Sequence, residues 1–197
     1  MLRAFLLLTM LVASVPAQAA DALAELRASF SIGGKPIPPN VFGDFGDAMM
    51  SDNRAVIVGV DALAAIDSNR YADAIRRNGA WLEQSKPQNT GINGAETESY
   101  KFVGATADGL LVLLTSWSGG GSGVFYTLHI VDAVWAKAFD EDGSRYRRLV
   151  LTPVRTHILG DRWQGDVTIA GNAVRIETTA SHSERSLSPV VIDAQRP

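Results

Sequence analysis

The sequence predicts a mainly β chain: an antiparallel β-sandwich or partly closed barrel built from hairpins, with one to three short helices and α+β as the alternative class. Three observations carry this. At least six segments either alternate apolar and polar residues or are dense in β-branched ones, the patterns of half-buried and fully buried strands. Short turns rich in Gly, Asp and Asn join most of them. In the last hairpin the turn and the alternation call for the same register, and a one-residue slip would invert every side chain.

Residues 1–20 read as a signal peptide. Arg3 supplies one positive charge, Leu6 to Val12 an apolar run, and Ala17-Gln18-Ala19 a small-x-small cleavage site. The run falls short of the ~20 residues that a membrane-spanning helix needs. Cleavage is expected after Ala19, with Ala20 as the alternative, leaving residues 21–197 as one β-rich domain with no membrane span. The absence of cysteine excludes disulfides, a lipidated cysteine and thiolate metal sites. With Arg3 removed, 17 basic residues face 21 acidic ones, a charge of −4. Those charges are dispersed, so there is no electrostatic footprint for nucleic acid.

Residues 21–30 suit a short helix. The prolines and glycines of Gly33 to Asn40 call for a turn and an extended segment. Val41 to Asn53 reads as a loop, and Arg54 to Val60 as a β-branched strand. Asp67 or Ser68 can cap a helix that Asn78-Gly79 ends, with a strand competing for the same stretch. Ser85 to Ser99 is polar and turn-prone.

Asp108-Gly109 reads as a two-residue hairpin turn, which sets Phe102 opposite Thr115, Gly104 opposite Leu113 and Thr106 opposite Leu111. Leu110 to Leu114 has no polar face and belongs at the centre of a sheet covered on both sides. After the turn Ser118–Gly123, Val124 to Val131 forms another strand, and Asp132 can cap a helix over Ala133–Phe139. Val150, Thr152, Val154, Thr156 and Ile158 alternate on one face up to Gly160-Asp161. The turn Gly171-Asn172 then sets Ile169 opposite Val174 and Val167 opposite Ile176. It also faces Asp166 with Glu177, a repulsion that Arg175 can relieve. From about Ser181 the tail is polar, and only Val190-Val191-Ile192 can dock.

No segment assembles a catalytic, cofactor or metal motif. Ser118-Gly119-Gly120-Gly121-Ser122-Gly123 resembles an anion-binding nest, but it lacks the Lys-Ser/Thr pair and following helix of a phosphate loop. Ser122 also lacks the closing glycine of a nucleophile elbow. Asp44 and Asp47 can act as paired carboxylates on a glycosidic bond or simply form a turn. Asp140-Glu141-Asp142-Gly143 is an acidic turn without the downstream ligands of a calcium loop. His129, His157 and His182 have no ligand spacing.

The candidate ligand-binding residues are therefore Trp117, Ser118, Ser122, Asp161, Arg162 and Trp163. They form one rim if the fold brings the two turns to the same end. The expected function is an exported non-catalytic binding domain of a bacterial-type cell envelope, periplasmic or secreted, taking a glycan, another envelope component or a protein. The alternatives are a small periplasmic hydrolase using Asp44 and Asp47, or Ser122 with a distant histidine, and an inhibitor or immunity-type protein.

Overall fold

A computed structural model describes residues 15–46, 59–71, 74–85, 95–179 and 188–196. The architecture is mainly antiparallel β. A seven-stranded sheet curls as a half-barrel, with a three-stranded sheet on one face and helices on the other.

Helix α1 (Val15–Ser29) runs through the expected cleavage site and packs on the sheet through Ala22, Leu23 and Leu26. Phe30 ends it in the left-handed region (φ 51°), a conformation costing roughly 1–2 kcal/mol for a residue with a Cβ. Complete burial of its ring, edge-on to Tyr100 and stacked with Phe102, offsets that cost. Strands β1 (Ser31–Ile32) and β2 (Lys35–Pro36) form a small hairpin around Gly33-Gly34. The Glu25 carboxylate accepts hydrogen bonds from the Gly34 amide (2.8 Å), the Ser31 hydroxyl (2.8 Å) and the Gly33 amide (2.6 Å). These bonds hold its pKa below the usual carboxylate value.

Val41–Gly46 is helix α2 and not loop. Its glycines and aspartate disfavour helix, but Val41, Phe42 and Phe45 lie on one buried face against the sheet, and tertiary burial overrides weak propensity. Of the strand expected over Arg54–Val60 only the last two residues are described, and Val60 opens strand β3 (Val60–Asp61). Asp61, not Asp67 or Ser68, caps the next helix, α3 (Ala62–Ala65), accepting from the Leu63 and Ala64 amides at 3.0 and 3.2 Å. The ambiguous stretch after it resolves as strand, β4 (Ile75–Asn78).

From β4 the chain meanders through β5 (Trp81–Ser85), β6 (Thr97–Ala105), β7 (Leu111–Ser118), β8 (Phe125–Phe139) and β9 (Arg145–Asp161). The sheet order is β3-β9-β8-β7-β6-β5-β4, which puts β7 at the centre. Leu111 and Leu113 lie in the core under the helices, Val112 in the core under the small sheet, and all three are fully buried, as a strand with two apolar faces requires. Thr97, Glu98 and Ser99, expected in a loop, begin β6, and Glu98 and Ser99 are buried.

Two registers differ from expectation. The β6–β7 turn closes from Thr106 to Leu110, around Ala107-Asp108-Gly109, with Gly109 at φ 81°. This is a three-residue loop ending in a left-handed glycine. The Thr106 hydroxyl accepts the Leu110 amide at 3.0 Å, and the Arg27 side chain crosses Gly109 so closely that a Cβ there would meet Nε at 2.7 Å. Phe102 therefore faces Leu113, and a bulge sets Gly104 (φ 150°) opposite Val112. On β9 the buried residues are Leu149 and Leu151, not the alternate set beginning at Val150. Register shifts opposite Ile130/Val131 and Tyr126/Thr127 then break the alternation farther along.

Ala133–Phe139 is strand and not helix. β7 pairs with β8 only from Phe125 to Val131 and β3 reaches β9 only at Val150 and Leu151, so from Trp135 to Phe139 β8 runs on with β9 as a two-stranded ribbon. Arg147 lies over Trp135 (5.1 Å) and Arg145 over Phe139 (5.8 Å), cross-strand contacts that a helix would forfeit.

The small sheet comprises β10 (Gly165–Ala170), β11 (Ala173–Thr178) and β12 (Val190–Asp193). Its register is the expected one, Ile169 opposite Val174 and Val167 opposite Ile176. Asp166 does face Glu177, and Arg175 pairs with Glu177 at 2.6 Å. Asn172 ties the two turns together by accepting the Asp108 amide at 3.0 Å. Of the tail triplet Val190-Val191-Ile192, Ile192 docks and is buried while Val191 is exposed.

Candidate functional site

The antiparallel β7–β8–β9 pairing brings the glycine-rich turn and the Gly160–Trp163 turn to one end of the sheet. Trp117 stands opposite Phe125, and Phe125 opposite Asp161. Directly opposed residues share a face, whereas consecutive residues of a strand point to opposite faces. Trp117 and Phe125 consequently lie on the helix-covered face and Tyr126 on the other. Tyr126 contacts Trp163 (6.2 Å) and Trp81 (6.0 Å). The fold thus brings the turns together but divides the two indoles. Trp163 packs against the second core, and its Nε1 donates to the Thr178 hydroxyl at 3.0 Å.

The exposed member is the Trp117–Phe125 pair. Their ring centroids are 5.8 Å apart with planes 32° apart, and the residues are 39% and 47% exposed. The indole donates to Glu96 Oε1 at 2.9 Å, which fixes its orientation. Gly119 and Gly123 border the rings, and a Cβ on either would come within 3.2 and 3.0 Å of the Trp117 and Phe125 rings. Of the glycines in this turn only Gly120 takes a positive φ, 83°, so the others serve close approach more than unusual backbone geometry.

Asp161 and Arg162 hold this turn from outside. Asp161 Oδ1 accepts the Val124 amide at 2.9 Å, and the Arg162 amide donates to the Val124 carbonyl at 2.7 Å. Arg162 Nη2 donates to the Ser122 carbonyl at 2.6 Å, while Nη1 lies 3.5 Å from Asp161. A protein carboxylate thus takes the amide that directly follows the turn expected to bind an anion. Ser122 is exposed, and Ser118, which follows Trp117 in β7, is half-buried. The surface left for a ligand has two aromatic rings, the Glu96 and Asp161 carboxylates as acceptors and one guanidinium as donor. That composition suits neutral, polyhydroxylated molecules: rings cover C–H faces while carboxylates and guanidinium bond hydroxyls. Phe125 and Glu96 escaped the sequence reading, although a turn centred on Gly121 already implies that Trp117 faces Phe125.

Among the described residues no histidine stands beside Ser122. Asp44 lies in α2, and Asp47 and His182 fall outside the described residues. His129 and His157 lie roughly 10–14 Å along the strands from Phe125, at about 3.4 Å per residue. His129 is buried between Phe42 and Phe45, with Nδ1 3.3 Å from the Thr156 hydroxyl. Burial pushes its pKa down to about 4 from 6.5. The unfolded chain therefore binds a proton that the folded one refuses between those values. Above pH 6.5 the group has no effect, and as pH falls from 6.5 to 4 it lowers stability by on the order of 3 kcal/mol. Denaturant unfolding across that range checks this, and His129→Gln should flatten the slope.

No protein family, curated protein or solved structure matches this chain.

Proposed function

We propose that the protein is an exported, non-catalytic binding domain of a bacterial-type cell envelope, and that it takes a neutral glycan on Trp117 and Phe125. The observation that carries the reading is this exposed, register-paired ring platform between Glu96, Asp161 and Arg162. Export rests on the leader. The exported form begins at Ala20 or Asp21, which N-terminal sequencing of periplasmic or culture-medium protein reads directly.

The platform is tested by titrating cell-envelope glycans against tryptophan emission and by calorimetry. Trp117→Ala and Phe125→Ala should each weaken binding about tenfold, near 1.4 kcal/mol. Trp163→Phe, on the opposite face, should bind as the parent does. Equal affinity in all four proteins, or no response to any glycan, overturns the assignment.

A further inference from the structure

A cleft lies at the β4–β5 edge and shares no residue with the aromatic platform. It is a cleft of about 610 Å³ between the β1–β2 hairpin, the end of α3 and strands β4 and β5. This size falls within the range of small-molecule sites. Its walls join apolar surface, from Tyr71, Leu82 and two prolines, to the side chains of Lys35 and Arg77.

The charges in it are unevenly matched. Among the described residues neither Lys35 nor Arg77 has an ion-pair partner. The carboxylate of the cleft, Asp67, accepts the Ser68 amide at 2.8 Å. A further guanidinium, Arg70, lies 4.7 Å over the Tyr71 ring. Arg77, Leu82 and Tyr100 stand in register across three strands and so share a face. Arg77 and Leu82 both line the cleft, so the guanidinium forms part of its wall. Excess positive charge around a partly apolar cleft, on a chain of net charge −3, is a local feature and not a reflection of overall composition. In a cleft with low-dielectric walls such charges concentrate anions.

We propose that this cleft binds a small organic anion: a carboxylate, sulfonate or phosphate held by Lys35 and Arg77, with an apolar body against Tyr71 and Leu82. This goes beyond the glycan reading and does not depend on it.

The probe is 8-anilinonaphthalene-1-sulfonate, titrated into the full chain and followed by dye emission and by amide chemical shifts. Saturable binding is expected, with shifts at Lys35, Ser68, Tyr71 and Arg77. Lys35→Gln and Arg77→Gln should each weaken it about fivefold, and N-phenyl-1-naphthylamine, which lacks the sulfonate, should bind at least tenfold more weakly. Trp117→Ala should leave dye affinity unchanged, so loss of the glycan site and loss of this one are read separately. Both substituted side chains are exposed, and an unchanged circular dichroism spectrum verifies folding. Absence of saturable binding, indifference to both charge changes, or shifts centred on Trp117 and Phe125 overturns the proposal.

Discussion

Ile176→Asp should lower the free energy of unfolding by about 3–5 kcal/mol, while Thr168→Asp should change it by less than about 0.5 kcal/mol. Ile176 is 2% exposed in the core between the two sheets and faces Val167 in register. A carboxylate there loses its hydration without gaining a partner, and protonation lessens the penalty without removing it. Thr168 occupies the outer face of β10 and is exposed. It stands opposite Arg175, so an aspartate there meets opposite charge. Val167→Asp falls between the two, because Val167 is half-buried and its carboxylate can reach water. Urea unfolding of the three variants gives the order directly. Equal losses at Ile176 and Thr168 would mean that the small sheet presents its other face to the core.

Gly165→Ala should cost about 2–3 kcal/mol, although it adds a single methyl group. A Cβ at this position would overlap the Glu177 carbonyl oxygen and lie 2.5 Å from the Trp163 ring. The first neighbour is backbone of the paired strand, which can yield only by opening the β10–β11 ladder. The second is an indole already tied to Thr178. The change should therefore shift Trp163 emission as well as the unfolding midpoint. Gly119→Ala is the contrasting case, since its new Cβ would meet only the outer edge of the Trp117 ring at 3.2 Å. That half of the ring borders solvent and can move by a few tenths of an ångström. Its stability should stay within about 0.5 kcal/mol of the parent. If Gly165→Ala is equally mild, the close crossing of Trp163 over β10 is not as described.

Local sequence pattern alone specifies the fold class, the central position of Leu110–Leu114 and the register of the last hairpin. Each follows from an interaction between near neighbours in the chain. A run without a polar face must be covered on both sides, and a two-residue turn with alternation on both arms admits one pairing. It also singled out Trp117, Ser118, Ser122, Asp161, Arg162 and Trp163, because turn residues beside aromatics stand out locally. Tertiary structure decided the rest. Ala133–Phe139 carries a workable helix cap, yet fifteen cross-strand pairs with β9 hold β8 extended to its end. Val41–Gly46 is a poor helix that forms because Val41, Phe42 and Phe45 have a sheet to cover. The β6–β7 register turned on one bulge and one additional turn residue, and the β9 faces on register shifts against β8. Alternation cannot reveal such irregularities, since each inserts a residue without changing composition. The partition of Trp117 and Trp163 between faces has the same origin. Their side chains are set by the parity of Phe125 and Tyr126 on a strand between them, a relation among residues far apart in the chain that only the assembled sheet expresses.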